Sequence, residues 1–492
     1  MTGTDLMVLL PLLIIAGASL VEMVIIALRR HHGIIWAVTL AALAASFLAL
    51  FAVSARSPHP ISSLLIIDDF ALFYMGLILA ASFTITLLSH NYLKAQEGNL
   101  EEYYLLLLLA TLGSSLLVVS RHFVSLFLGL EILSVSLYVL IAYQVKREKS
   151  IEAGIKYLIL AAASSAFLLF GMALVYAELG TMEFTMLANR LGAVGENHLF
   201  VLSGFALMIV GFGFKLAVVP FHMWTPDVYE GAPAPVSAFI ASVSKGGMFA
   251  LLLRFFIEID MYQYEALLVI FSIIAIVSMF GGNLLALLQK NVKRILAYSS
   301  ISHLGYLLVA FLAGKDQGVE AATFYLAAYF ITIIGAFGVI TVLSPKERDA
   351  DTLEDYQGLY WRSPWIATIF TAMMLSLAGI PLTAGFVGKF YLLSAGVDSA
   401  LWLLVVTLIV NSAIGLFYYL RIVVAMYSTT ASDEVEEAPA VRSFSLAGGV
   451  TLTVLTVATI WFGIFPEQLI EVINTLTGAL QYSMVSGNPV LP

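Results

Sequence analysis

The 492-residue sequence contains no cysteine, and only 11% of its residues are charged. Without cysteine the chain has no thiolate nucleophile, disulfide, cysteine-held iron–sulfur cluster or cysteine-ligated zinc. Soluble globular chains carry roughly 25% charged residues. The shortage of charge therefore excludes an ordinary soluble enzyme, a nucleic-acid-binding protein and a disordered chain. Also missing are a nucleophile elbow, a phosphate loop, a dinucleotide fingerprint and a metal-ligand cluster. The glycine-rich stretches lie inside apolar runs and lack the strand context those motifs require.

What is present is apolar surface: 61% of the residues are hydrophobic. A membrane-crossing helix needs about 20 mostly apolar residues. Such runs cover roughly 6–28, 34–54, 70–90, 102–119, 121–142, 151–177, 203–230, 234–256, 265–286, 295–313, 319–343, 364–395, 400–427 and 443–465. The expectation is an all-α membrane protein of fourteen transmembrane helices. The first run is not a cleaved signal, because Arg29-Arg30-His31-His32 follows it instead of preceding it. With the N-terminus outside, 14 of the 23 basic residues fall in inner loops, and five (Arg56, Arg121, Arg190, Arg254 and Lys315) fall in outer ones. Such an excess places both termini on the outer side. The acidic run Asp433, Glu434, Glu436 and Glu437 reads as a solvated loop, and Pro466 to Ile473 as an interfacial helix.

The other four basic residues, Lys156, Lys215, Lys245 and Lys389, fall inside spans, as does Glu131. A charge near the bilayer centre costs roughly 2.5–3.5 kcal/mol on insertion scales, so these groups must face protein, pair, or touch water. Lys156, about a turn and a half inside its span, can also snorkel to the interface. Lys215 stands five residues before Pro220, which removes the usual donor to the Leu216 carbonyl. Lys389 follows Gly379 and Pro381, which interrupt the span, and Pro381 frees the carbonyl of Leu377. Gly246 and Gly247 beside Lys245 permit close helix approach or loosen the helix at the charge.

A broken helix with a buried lysine thus occurs in both halves of the chain, the pattern of an ion site at a repeat interface. Five spans in 102–256 and five in 265–427 predict two inverted repeats with discontinuous helices 7 and 12. Residues 1–101 precede them as helices 1–3, and 428–492 follow as helix 14 with an amphipathic tail. Mid-span His303, and more weakly His222 just after Pro220, can donate or accept a proton. Together Glu131, Lys215, Lys245, His303 and Lys389 form a row of protonatable groups, able to carry protons across a membrane without a cofactor in this chain.

Three blocks carry a family resemblance. Pro220-Phe221-His222-Met223-Trp224-Thr225-Pro226-Asp227-Val228-Tyr229-Glu230-Gly231-Ala232-Pro233-Ala234-Pro235 resembles the signature of the antiporter-like membrane subunits of respiratory complex I, the NADH:quinone oxidoreductase. Val292 to His303 and Ser376 to Lys389 are similar to two further family blocks, and the resemblance covers essentially the whole chain. The run Asp227 to Gly231 looks like the N-type (chain 2) members; the sister L and M chains usually differ there. The resemblance implies one proton pathway. Glu131 would be the fifth-helix glutamate that pairs with Lys215, Lys156 a sixth-helix lysine, Lys245 the connecting lysine and Lys389 the exit. It places flavin, iron–sulfur clusters and quinone on partner subunits, with none in this chain. It also implies sister antiporter-like chains as neighbours; the host could be a bacterium, a plastid or an archaeon, with a bacterial inner membrane the default expectation. A subunit of a multisubunit sodium/proton antiporter is the competing reading, since both groups share the intramembrane residues. A purely structural scaffold is disfavoured by the cost of four buried lysines.

Overall fold

The computed structural model describes residues 2–96, 98–194, 199–314, 317–428 and 446–475. Lys315, Arg442, His198 and the acidic run at 433–437 lie outside the described residues. Away from water a backbone must satisfy itself, and a helix does so within one segment. Among the described residues, twelve helices are long and apolar enough to cross a membrane by length and composition, and Glu102–Val118 and Pro364–Ala378 are shorter apolar helices. One strand pair departs from the all-helical pattern: His59–Ile61 runs antiparallel to Leu65–Ile67. Beyond Pro466, residues 467–475 are helical.

Burial sorts the helices into a centre and a rim. Ala234–Glu258 is wholly buried in its most apolar window, Val292–Ala313 is 94% buried and Gln317–Leu343 83%, whereas Glu148–Leu179 is 33% buried. Small residues let neighbours approach closely. A Cβ added at Gly171 would stand 2.5 Å from the Gly204 carbonyl oxygen, where Glu148–Leu179 crosses Leu199–Leu216. One added at Gly113 would stand 2.8 Å from the Gly129 carbonyl oxygen, where Glu102–Val118 meets Phe123–Ile141.

Two of the expected runs are not single helices. Residues 203–230 divide into Leu199–Leu216 and Trp224–Gly231, with Ala217 between them at φ 60°. Residues 364–395 divide into Pro364–Ala378 and Ala384–Asp398, joined through Gly379 at φ 84° and Leu382 at φ 71°. Ala234–Glu258 contains a π-helical turn over Ile240–Ser244, ending against Lys245. The Ser114 hydroxyl donates to the Val243 carbonyl in that turn at 2.8 Å.

The assignment of basic residues to loops needs correction. Arg254 does not lie in an outer loop. It sits in Ala234–Glu258 with 1% of its surface exposed. Its guanidinium donates to both Asp68 carboxylate oxygens at 2.8 and 2.7 Å, to Glu258 at 3.2 Å and to the Val118 carbonyl at 3.0 Å. A fork of five N–H groups met by acceptors on two sides is how a guanidinium tolerates burial. Lys293 and Arg294 likewise belong to the first turn of Val292–Ala313, and Arg421 lies within Trp402–Tyr427. Lys293 is fully buried. Its Nζ donates to Asp349 at 2.7 Å and to the carbonyls of Glu230 and Ala232 at 2.9 and 2.6 Å. Arg147 and Tyr92 also donate to Asp349, at 3.0 and 2.7 Å. Burial pushes the Asp349 carboxyl up, but the Lys293 and Arg147 charges outweigh it and hold the group below its ordinary value.

Candidate functional site

The helix breaks and the buried helices bring most of the singled-out residues inward. Lys215, one residue before the end of Leu199–Leu216, is 3% exposed. Its Nζ donates to Ser134 Oγ at 2.9 Å and to the Tyr157 hydroxyl at 3.0 Å, and lies over the Tyr157 ring. Glu131 is half-buried on the helix that carries Ser134. Three residues apart, the two side chains share one helix face. Glu131 does not touch Lys215 directly; Ser165 Oγ donates to its Oε1 at 2.6 Å. The glutamate and the lysine thus bond to different serines, Ser165 and Ser134, and Ser134 shares the helix face of Glu131.

The break after Leu216 has its own donors. The Trp224 indole donates to the Phe214 carbonyl at 3.0 Å, and the Val219 amide donates to Ser278 Oγ at 2.9 Å. His222, from the same linker, stays apart from the row: it is 8% exposed and its Nδ1 has no partner.

Lys245 is 1% exposed. Its Nζ donates to Ser300 Oγ at 2.5 Å and lies over the Tyr229 ring. Neighbouring Ser299 is hydrogen-bonded to the Tyr419 hydroxyl, which stands 3.0 Å from His303 Nε2, while the Tyr325 hydroxyl stands 2.6 Å from His303 Nδ1. Both ring nitrogens of this buried histidine thus meet a phenol that can donate or accept. A small cavity lined by His303, Tyr325, Tyr329, Thr332, Ser376, Leu377 and Gly385 opens from the histidine toward the second break. At that break Lys389, 6% exposed, donates to the Leu377 and Ala378 carbonyls at 2.9 and 2.8 Å and to Ser412 Oγ at 2.9 Å. The Leu377 carbonyl freed by Pro381 has gained a lysine donor.

Lys156 is placed differently. Its side chain is 44% exposed on the rim helix, paired with Glu152 at 2.7 Å and Asp227 at 2.8 Å. Asp227 also accepts from Arg294 at 2.8 Å, and Glu230 accepts from Lys149 at 2.7 Å and Arg294 at 2.9 Å. The two acids of the Asp227-to-Gly231 run thus tie three helices together. Sequence reasoning missed the hydroxyls of Ser134, Tyr157, Ser300, Tyr325, Tyr419 and Ser412, for a serine or tyrosine within an apolar span carries no local mark of its partner. Among the described residues no group of His, Asp and Glu is placed to hold a metal ion.

Residues 120–415 match the family described as NADH:quinone oxidoreductase/Mrp antiporter, TM. The chain belongs to that family. It is 48% identical over 480 residues to a protein of Ectopseudomonas mendocina (strain ymp) named NADH-quinone oxidoreductase subunit N, covering 96% of this chain and 97% of the relative. A protein of the same name from Nitrosospira multiformis (strain ATCC 25196 / NCIMB 11849 / C 71) is 51% identical over 492 residues, with 97% of each chain covered. Among solved structures, a chain of respiratory complex I from Thermus thermophilus with bound aureothin is 31% identical, with a TM-score of 0.81 over 94% of this chain and 98% of that one. A chain of the Mrp complex from Dietzia sp. DQ12-45-1b has a TM-score of 0.83 over 98% of each chain at 21% identity, a likeness of fold alone.

Proposed function

We propose that the chain is a proton-translocating membrane subunit of the N type in an NADH:quinone oxidoreductase, moving protons while other subunits carry out the redox chemistry. The observation that carries this reading is that Lys215, Lys245 and Lys389 are all buried, and each lies at an irregularity of its helix: the end at Leu216, the π turn before Lys245, and the break after Ala378. None of the three has a carboxylate as hydrogen-bond partner; their partners are hydroxyls and carbonyls. A buried cation with no fixed counter-charge responds to any charge that moves nearby. Glu131, on the same helix face as the Ser134 that Lys215 donates to, is in that position for Lys215.

The path runs from Glu131 and Lys215 through Lys245 and His303 to Lys389 as the exit. Lys156 with Asp227 serves as an outlying charge near its start, and His222 has the weakest claim to a part. Fourteen spans are the twelve long helices plus Glu102–Val118 and the interrupted Pro364–Ala378 with Ala384–Asp398. Within them 102–256 and 265–427 are two inverted five-helix repeats, after 1–101 and before 428–492, with both termini on the outer side of a bacterial inner membrane. The curated relatives' shared name supports sister membrane-arm chains as neighbours and flavin, iron–sulfur clusters and quinone on partner subunits. It also favours this reading over a sodium/proton antiporter subunit.

Lys215→Ala and Glu131→Ala should each sharply lower the protons pumped per electron pair in reconstituted vesicles while the complex still assembles. Unchanged stoichiometry in both variants overturns the relay.

A further inference from the structure

Glu22 is fully buried in Leu10–Leu28, outside the segment that matches the family, and is not part of the lysine row. It lies six residues, or about 9 Å at 1.5 Å per residue, from the helix end that leads into Arg29 and Arg30. Its Oε1 is 2.6 Å from the Thr39 hydroxyl, which is also 2.8 Å from the Ile35 carbonyl oxygen. A hydroxyl has one proton, and a carbonyl can only accept. Both contacts are satisfied at once when Thr39 donates to Ile35 and a proton on Glu22 is donated to Thr39. No basic side chain among the described residues pairs with Glu22. An unpaired carboxylate in such a place would be far more costly than the neutral acid.

Other groups lead from Glu22 toward the Arg29–Arg30 face. Tyr104 belongs to Glu102–Val118, which packs against Leu10–Leu28, and its hydroxyl is 3.5 Å from His32 Nε2. The rings of His32 and His90 stack with centroids 4.6 Å apart. At the surface Arg30 pairs with Glu102 at 2.6 Å, and Lys94 stands one turn beyond His90. Glu22 Oε2, His32 Nδ1 and His90 Nδ1 are all buried without a protein partner. Buried polar atoms left in this way are where ordered water serves.

We infer that Glu22 is a second proton-binding site, a blind hydrated inlet in the N-terminal helices that opens on the Arg29–Arg30 face through the His32–His90 pair. When the Glu22 O–H bond breaks, the proton passes by water to an imidazole, leaving a carboxylate and an imidazolium within the cluster. The inlet is separate from the lysine row. The test is infrared difference spectroscopy of the intact, reconstituted complex, wild type against Glu22→Gln. The expected result is a carboxylic-acid C=O band that shifts in D2O and is lost in Glu22→Gln. Thr39→Val should move that band without removing it, and the band should persist in Lys215→Ala. A spectrum identical in wild type and Glu22→Gln overturns the site. A band that does not shift after equilibration in D2O overturns the inlet, and loss of the band in Lys215→Ala overturns its independence from the relay.

Discussion

Lys215 and Lys389 both lie beside an interrupted helix, yet Lys389 donates to two backbone carbonyls and a serine, whereas Lys215 donates to a serine and a tyrosine. Carbonyls only accept. Three acceptors around Lys389 match the three N–H bonds of an ammonium, and the Ala378 carbonyl among them also accepts from Ser412 Oγ at 3.4 Å. Hydroxyls accept or donate, so the partners of Lys215 suit either form of the amine. At the first break the Phe214 carbonyl accepts from the Ala217 amide and from the Trp224 indole, both at 3.0 Å, and not from the lysine. One break is therefore capped by its lysine, and the other is capped by an indole that leaves its lysine free to answer Glu131.

The two breaks should differ first in how they tolerate bulk. A Cβ at Gly385 would stand 2.0 Å from the Ser376 carbonyl oxygen, a backbone atom fixed by its helix. One at Gly213 would stand 2.5 Å from Phe221 Cδ2, part of a side chain that can turn away. Gly385→Ala should cost about 3 kcal/mol or more by overpacking and empty the membrane of assembled complex. Gly213→Ala should leave assembled complex on a native gel. Equal losses would mean that the second break is no more rigid than the first.

A smaller effect separates the lysines themselves. Lys389→Met strands the buried Leu377 carbonyl and leaves the Ala378 carbonyl only the 3.4 Å contact from Ser412 Oγ, and at about 1–3 kcal/mol for an unsatisfied group it should lower the melting temperature of the purified complex. Lys215→Met leaves one group without its partner, the Tyr157 hydroxyl, since Ser134 already donates to the Leu130 carbonyl at 2.7 Å. It should melt close to wild type and fail chiefly in pumping. Reversed rankings would break the comparison.

Local arithmetic in the sequence located Lys215, Lys245 and Lys389, because an intramembrane charge is costly whatever surrounds it, and Pro220 and Pro381 marked the irregularities beside two of them. Their partners were not legible. Lys215 finds Ser134 eighty-one residues away, and His303 finds Tyr419 at a separation of 116. Such pairings depend on which helix faces turn inward, and in runs apolar on every side the periodicity does not report that. Arg254 was misplaced for a related reason. Near the end of an apolar run an arginine resembles a loop residue, and only Asp68, from a distant connection, reveals it as buried. Glu22 carried the same signal as Glu131, an acid inside an apolar run.

The first break also has a lysine that caps carbonyls, displaced to its far end. Lys293 meets the Glu230 and Ala232 carbonyls at the C-terminal end of Trp224–Gly231, and unlike Lys389 it has a carboxylate, Asp349, as its third partner. That makes this cap sensitive to acid. Burial raises the Asp349 carboxyl, and Lys293 and Arg147 more than offset it, so the folded-state value lies below the ordinary 3.8. A depressed carboxyl stabilises fully above its unfolded value and loses that contribution as pH falls through the folded one. Hydrogen exchange of the amides in 228–233, corrected for intrinsic rates, should stay flat from neutral pH down to the carboxylate range and lose protection only below 3.8. Asp349→Asn should lack that step. The peptide around 375–380, capped by Lys389 without a carboxylate, should show no such dependence. A matching acid step there would mean that the two caps do not differ in chemistry.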